Sequence, residues 1–170
     1  MKAENVIELI QLCKENNIDV VIDGGWGVDA LMGTQTREHN DIDIAIPHKD
    51  VARLRELLEE KGYVDIPRDD TRDCNFVLGD KAGNQIDVHS YTFDEHGNNV
   101  FGVPYLPEHF TGRGVINGQI VKCISAEWMI KFHTGYELDE NDFHDILALC
   151  KKFGIPLPCE YEKFINLIND

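Results

Sequence analysis

The sequence predicts an α+β fold in which helices and strands mix and the C-terminal end is helical. Three observations predict it: helical apolar spacing alternates with short β-branched runs early in the chain, two hairpin signals follow, and helical patterns dominate the end. A chain of 170 residues, 42% hydrophobic, suffices for one core and is short for two full domains. The division expected is a mixed core over residues 1–124 and a helical region over 125–170 packed on it as one unit.

The elements follow in order. Val6, Ile7, Ile10 and Cys13 recur with helical spacing, and Asn16-Asn17 stops that helix. Residues 18–22 form a β-branched strand ending in Asp23-Gly24-Gly25-Trp26-Gly27; residues 28–32 then make one or two helical turns closed by Gly33. After a polar connection over 34–40, residues 41–46 alternate strictly, as a half-buried strand does. Val51, Leu54, Leu57 and Leu58 mark a helix over 48–61 that ends at Gly62. Strands at 75–78 and 85–89 flank a hairpin loop at 80–84, and a second hairpin over 114–124 turns at Asn117-Gly118. The stretch 94–114 between them, rich in Gly, Pro, His and Asn, reads as an irregular connection. Helices are expected from Ser125 to about residue 134, over 142–153, and over 161–169 after Pro156 and Pro158.

A net charge of −15 argues against a nucleic-acid partner, because such proteins carry the Lys/Arg excess that displaces counterions from phosphates. The same acidity suits either a cationic small molecule or simple solubility. Five scattered cysteines with no C-x-x-C pair read as buried free thiols, and Trp26 as packing for the glycine turn. The N-terminus has no signal-like apolar run and the chain no span near the ~20 residues a bilayer requires, so a cytoplasmic location without a membrane partner is expected.

The chemistry centres on Asp41-Ile42-Asp43. Side chains two apart on a strand share a face, and two carboxylates there make half a Mg²⁺ site, leaving positions for substrate phosphate oxygens. Asp87, between apolar Ile86 and Val88, faces away from the core on a separate strand and is expected beside the pair. Three such carboxylates repel strongly unless cations neutralise them. Gly24-Gly25 follows a strand and opens a helix, where backbone N–H groups can hold a phosphate.

These residues carry a resemblance. The runs Asp23-Gly24-Gly25-Trp26-Gly27-Val28-Asp29-Ala30-Leu31, Thr36-Arg37-Glu38-His39-Asn40-Asp41-Ile42-Asp43-Ile44 and Ile86-Asp87-Val88-His89 resemble the small antibiotic nucleotidyltransferases of the polymerase-beta-like superfamily. The lincosamide nucleotidyltransferases are most similar and the aminoglycoside 2″-nucleotidyltransferases next. Cys123-Ile124-Ser125-Ala126-Glu127 and Phe132-His133-Thr134-Gly135-Tyr136-Glu137-Leu138 also look like the lincosamide group, so the likeness reaches about Leu149.

The resemblance implies a mixed sheet flanked by helices and Mg²⁺-dependent transfer of a nucleoside monophosphate, from ATP or another nucleoside triphosphate, to an antibiotic hydroxyl. It implies two Mg²⁺ ions, with Asp41 and Asp43 as ligands, Asp87 joining them at the second ion and serving as the candidate general base. Arg37, His39 and Lys131 are candidates for the triphosphate, with a solvated surface role as the alternative for each. His89 either touches the acceptor or packs behind Asp87. Asp142 and Asp145 either line an acceptor cleft or are acids favoured at a helix N-terminus, the simpler account. The aromatics Tyr91, Phe101 and Tyr105, with His109, suit an apolar or sugar-bearing acceptor or else pack a core. Phe164, Ile165 and Ile168 serve either a homodimer interface or the monomer's own core. A non-catalytic nucleotide-binding or antitoxin-like module would lack a carboxylate or the glycine turn, and neither is missing.

Overall fold

The alternation over residues 41–47 does what its period requires: Ile42, Ile44 and Ile46 are buried on one face, and Asp41 and Asp43 stand half-buried on the other. The computed structural model describes residues 1–164. Its helices are α1 (Ala3–Glu15), α2 (Gly24–Met32), α3 (Val51–Glu60), α4 (Ala126–Phe132) and α5 (Glu140–Phe153). Its strands are β1 (Val21–Asp23), β2 (Asp41–Pro47), β3 (Val64–Ile66), β4 (Asn75–Gly79), β5 (Gln85–Phe93), β6 (Asn99–Gly102), β7 (Gly112–Ile116) and β8 (Gln119–Cys123). The strands form one sheet in the order β3-β4-β5-β2-β1-β8-β7, with β6 pairing the far end of β5. The sheet is mixed as expected: β2–β5 and β1–β8 are parallel and the other pairs antiparallel.

Several boundaries move for physical reasons. β1 begins at Val21 rather than residue 18, because Asn17 takes a left-handed φ of 57° and the chain needs Ile18–Val20 to leave that turn. α2 starts at Gly24, four residues before the expected turn of helix, since the Asp23 side chain accepts a hydrogen bond from the Gly24 N–H at 2.8 Å and caps it. β3 and β6 are additions. β3 is three residues long, largely exposed and paired only with β4, which leaves no periodicity to read. β6 gives the supposedly irregular stretch 94–114 a strand, and a 3₁₀ turn at Pro107–Thr111 follows it. Asn117 and Gly118 both have positive φ, 48° and 76°, the conformation that makes Asn-Gly a hairpin turn between β7 and β8.

α2 is buried almost all round, lying against β7, α4 and α5, so the helical C-terminal region closes over the core. A 3₁₀ turn at Cys159–Tyr161 brings Tyr161 and Phe164 onto Phe143 of α5, the Phe143 and Phe164 rings stacking at 5.2 Å. Phe164 therefore packs on the core; Ile165 and Ile168 lie outside the described residues. Cys13, Cys123 and Cys150 are the buried thiols expected, but Cys74 is half-buried and Cys159 exposed. Trp26 is buried as expected. No described helix is long and apolar enough to cross a membrane.

Candidate active site

Strand register builds the site. β2 and β5 run parallel with Asp43 opposite Asp87, and β1 runs antiparallel to β2 with Asp23 opposite Asp43. Residues directly opposite share a sheet face, so Asp23, Asp43 and Asp87 form a row across three strands, with Asp41 two residues up β2. The electrostatics agree. Burial, then the charges of Asp23, Asp41 and Asp87, push the Asp43 carboxyl up to about 8, and burial raises that of Asp87 against the pull of His89 and Arg68.

Asp23 is a further acid of the site, beyond those the sequence singles out, although a carboxylate between a β-branched run and a glycine pair is a visible signal. It is buried, caps Gly24 with one oxygen and accepts from the Tyr105 hydroxyl with the other at 2.9 Å. Gly24 has φ +55°, and a Cβ there would collide with Asp43 Oδ2. A Cβ on Gly25 would lie 2.6 Å from His39 Nδ1 and 2.7 Å from Arg37 Nη2. Both glycines are therefore required by close approach of the side chains around the turn.

A cavity of about 570 Å³ opens over this turn. One wall is polar, with Asp23, Asp41, Asp43, Arg37 and His89; the other carries Val103, Pro104, Tyr105 and Phe132, with His133 at its edge. Asp87 reaches the cavity only through its neighbours. Its Oδ2 is 3.3 Å from Arg68 Nη1 and its Oδ1 3.4 Å from His89 Nε2, while Oδ1 is buried without a hydrogen-bond partner. Among the described residues, no three acid, histidine or cysteine side chains stand close enough to hold a metal ion as they are. The donor set still fits a divalent cation: a buried carboxylate oxygen has no partner, and the Asp43 carboxyl is raised by burial and then by like charges that a cation would relieve.

The other expected residues divide. Arg37 lines the cavity but its Nε and Nη2 both bind Asp145, at 3.0 and 2.9 Å to one oxygen. His39 is buried, and its Nε2 donates to Asp29 Oδ2 at 2.6 Å, so only Nδ1 is left toward Gly25. Asp29 also accepts from the Thr36 N–H and hydroxyl, pinning the whole connection before β2. Lys131 is exposed over the Trp128 ring at 4.0 Å and does not line the cavity, a surface role. Tyr91 is buried against Phe93 and Phe110, so it packs a core and does not line the cavity.

Asp142 is the helix N-terminal acid of the simpler account: it accepts from the Asp139 N–H and the Tyr136 hydroxyl. Asp145 fits neither reading. It is 2% exposed and belongs to Arg37, because the guanidinium is the partner that makes its burial tolerable. Of the distal aromatics, Tyr105 lines the cavity, Phe101 lies exposed against His48, and His109 is buried between Trp128 and Phe132. Tyr105 comes to the cavity from 82 residues beyond Asp23, a separation no local pattern bridges.

Residues 5–149 match the model of the aminoglycoside-2″-adenylyltransferase family. The chain belongs to that family. Its reaction class is nucleotidyl transfer, and the expected likeness to the antibiotic nucleotidyltransferases holds. A lincosamide resistance protein of Staphylococcus haemolyticus is 31% identical over 160 residues, covering 88% of this chain and 98% of that one. A 2″-aminoglycoside nucleotidyltransferase of Escherichia coli is 27% identical over 125 residues, covering 72% and 67%. Among solved structures, a lincosamide antibiotic adenylyltransferase with lincomycin bound matches with a TM-score of 0.76 at 26% identity, covering 90% of this chain and 97% of that one. This member of the family thus has the mixed sheet and flanking helices that its relatives share.

Proposed function

We propose that this protein transfers a nucleoside monophosphate from a nucleoside triphosphate to a hydroxyl of a lincosamide, breaking the bond between the α- and β-phosphates and releasing pyrophosphate, and so confers resistance in the cytoplasm. The observation that carries the reading is the row of aspartates in register across β1, β2 and β5, set against the glycine turn that opens α2. In this reading Asp41 and Asp43 would hold Mg²⁺ and Asp87 would join them at a second ion. Bound Mg²⁺ would neutralise charge at the triphosphate and make the acceptor hydroxyl easier to deprotonate. Asp87, half-buried and raised by desolvation, takes the proton from that hydroxyl. The N–H groups of the first turn of α2 after Gly24, whose own N–H is capped by Asp23, receive phosphate oxygens, and Arg37, oriented by Asp145, presents its remaining N–H groups beside them.

A lincosamide is favoured as acceptor because the relative at 31% identity matches nearly end to end and the lincomycin-bound adenylyltransferase shares the fold at 26% identity. The wall of Val103, Pro104, Tyr105 and Phe132 supports it, offering an apolar face to an amphipathic drug. An aminoglycoside is the second reading, favoured by the family's own description and by a net charge of −15, which attracts a polycation. Purified protein incubated with Mg²⁺, ATP or GTP and each drug class decides between them: the expected product is lincomycin heavier by one nucleoside monophosphate. Stabilisation by nucleotide with no product on any drug would replace the enzyme reading with a nucleotide-binding one.

A further inference from the structure

Asp87 is expected to take a cation, yet it already has one. Arg68, on the exposed connection between β3 and β4, places Nη1 3.3 Å from Asp87 Oδ2 and donates from Nη2 to Gln85 Oε1 at 2.9 Å. Gln85 and Asp87 are alternate residues on the same face of β5, so the planar guanidinium straddles that face and caps the end of the aspartate row. Its anchors are weak. The side chain is 41% exposed, the Asp87 contact is long for a charge-assisted hydrogen bond, and the loop is fixed locally by the Arg68 N–H donating to Thr71 Oγ1. The same loop carries Arg72, which makes no contact with Asp87: its backbone bridges Asn75.

We propose that Arg68 is the resident counter-cation of Asp87 and that its guanidinium competes with a divalent ion for that carboxylate. This rests on the metal-dependent reading above and adds an order of loading to it. Among the described residues, Asp41 and Asp43 have no arginine or lysine partner within ion-pair distance, so an ion enters there with nothing to expel. At Asp87 the incoming charge stands within a few Å of a permanently charged guanidinium, and the repulsion between the two weakens the binding of either. The exchange is feasible because the pair is half-exposed and therefore weak, whereas the Arg37 pair with Asp145 is bidentate and its carboxylate is buried.

The test uses the full-length protein without nucleotide and Mn²⁺ as the probe, followed by calorimetry and by the loss of the free-ion paramagnetic signal. Arg68→Ala is expected to bind Mn²⁺ about two- to fivefold more tightly at its weaker site than the unaltered protein, the worth of one half-exposed ion pair. Arg68→Lys, which keeps the charge, should stay near the unaltered value, and Arg72→Ala, which removes an equal charge from the same loop, should not reproduce the gain. The gain should vanish when Asp87→Asn is the background. The proposal is overturned if Arg68→Ala leaves Mn²⁺ affinity unchanged, if Arg72→Ala matches it, or if the gain persists without the Asp87 carboxylate. Failure of every variant and of the parent protein to bind Mn²⁺ has a different signature, and it removes the metal reading together with this one.

Discussion

Asp43 lines the cavity and Asp145 holds Arg37, which lines it too, yet the two acids live in opposite electrostatic regimes. Asp145 is buried with both oxygens facing the Arg37 guanidinium, and nearby Asp29 is equally buried against His39 and Thr36. Asp43 has three other aspartates around it and no directly bonded base, and its carboxyl rises to about 8. Acids that hold the walls together are paired within the chain. Those on the sheet face are crowded and short of cations, an arrangement that costs stability and makes sense only if the missing charge arrives with a ligand.

The sharpest way to break this contrast is to neutralise the crowded acid. Asp43→Asn should reduce nucleotidyl transfer on the order of a thousandfold, the scale of removing one group that stabilises developing charge. The same change should leave the metal-free protein more stable, by a few °C in Tm near pH 8, because it removes a repelled charge. Steady-state rates and thermal melts check the two halves. A variant both inactive and less stable would place Asp43 with the structural acids.

Breaking the other side should do the reverse. Arg37→Ala leaves Asp145 with 2% exposure and no partner, so it should cost about 3 kcal/mol in denaturant unfolding. Asp145→Ala should cost less. The Arg37 side chain it orphans is 31% exposed and can turn to water. Equal losses in the two variants would mean that solvent reaches Asp145 after all.

What the sequence revealed and concealed follows the same division. Asp41, Asp43 and Asp87 were legible because period-two alternation puts acids and apolar residues on opposite faces, a rule that needs no tertiary knowledge. The glycine turn was legible because few other residues fit a left-handed φ under a neighbouring side chain. The partners were not. Asp145 looked like one more acid in the first turns of a helix, and only the packing of α5 beside α2 brings it to Arg37, 108 residues away. Arg68 stood in an unpatterned run of Asp and Arg, and Tyr105 in a stretch that lacked periodicity. Local pattern shows which face a charge occupies; long-range packing decides whether that charge is paired.

pH sharpens the comparison next. The Asp43 carboxyl titrates near 3.8 when unfolded and near 8 when folded. Between those values the folded state keeps a proton that the unfolded state has released, so the contribution is full below about pH 4, declines as pH rises, and is gone above about 8. Melting of the metal-free protein should therefore fall from pH 5 to pH 8, and the slope should flatten in Asp43→Asn. Asp80 and Asp94, held below the ordinary carboxylate value chiefly by hydrogen bonds in their loops, act oppositely and only as pH drops below about 4, outside that window. A slope unchanged in Asp43→Asn would assign it to other groups.

The smallest effect probes the link between the two walls. Tyr105 lies in the apolar wall, yet its hydroxyl donates to Asp23 Oδ2, and burial with the charge of Asp23 raises the phenol well above its usual range. Tyr105→Phe keeps the ring and removes one neutral donor to a carboxylate, a change worth about 1–2 kcal/mol in stability. Asp23 retains its bond from the Gly24 N–H, so the glycine turn should persist and the KM for nucleotide should change little. The acceptor's KM should rise instead, since the ring it would pack against loses its tether to the aspartate row. If the nucleotide KM moves and the acceptor KM does not, the Tyr105 hydroxyl serves the turn that opens α2 and the apolar wall stands without it.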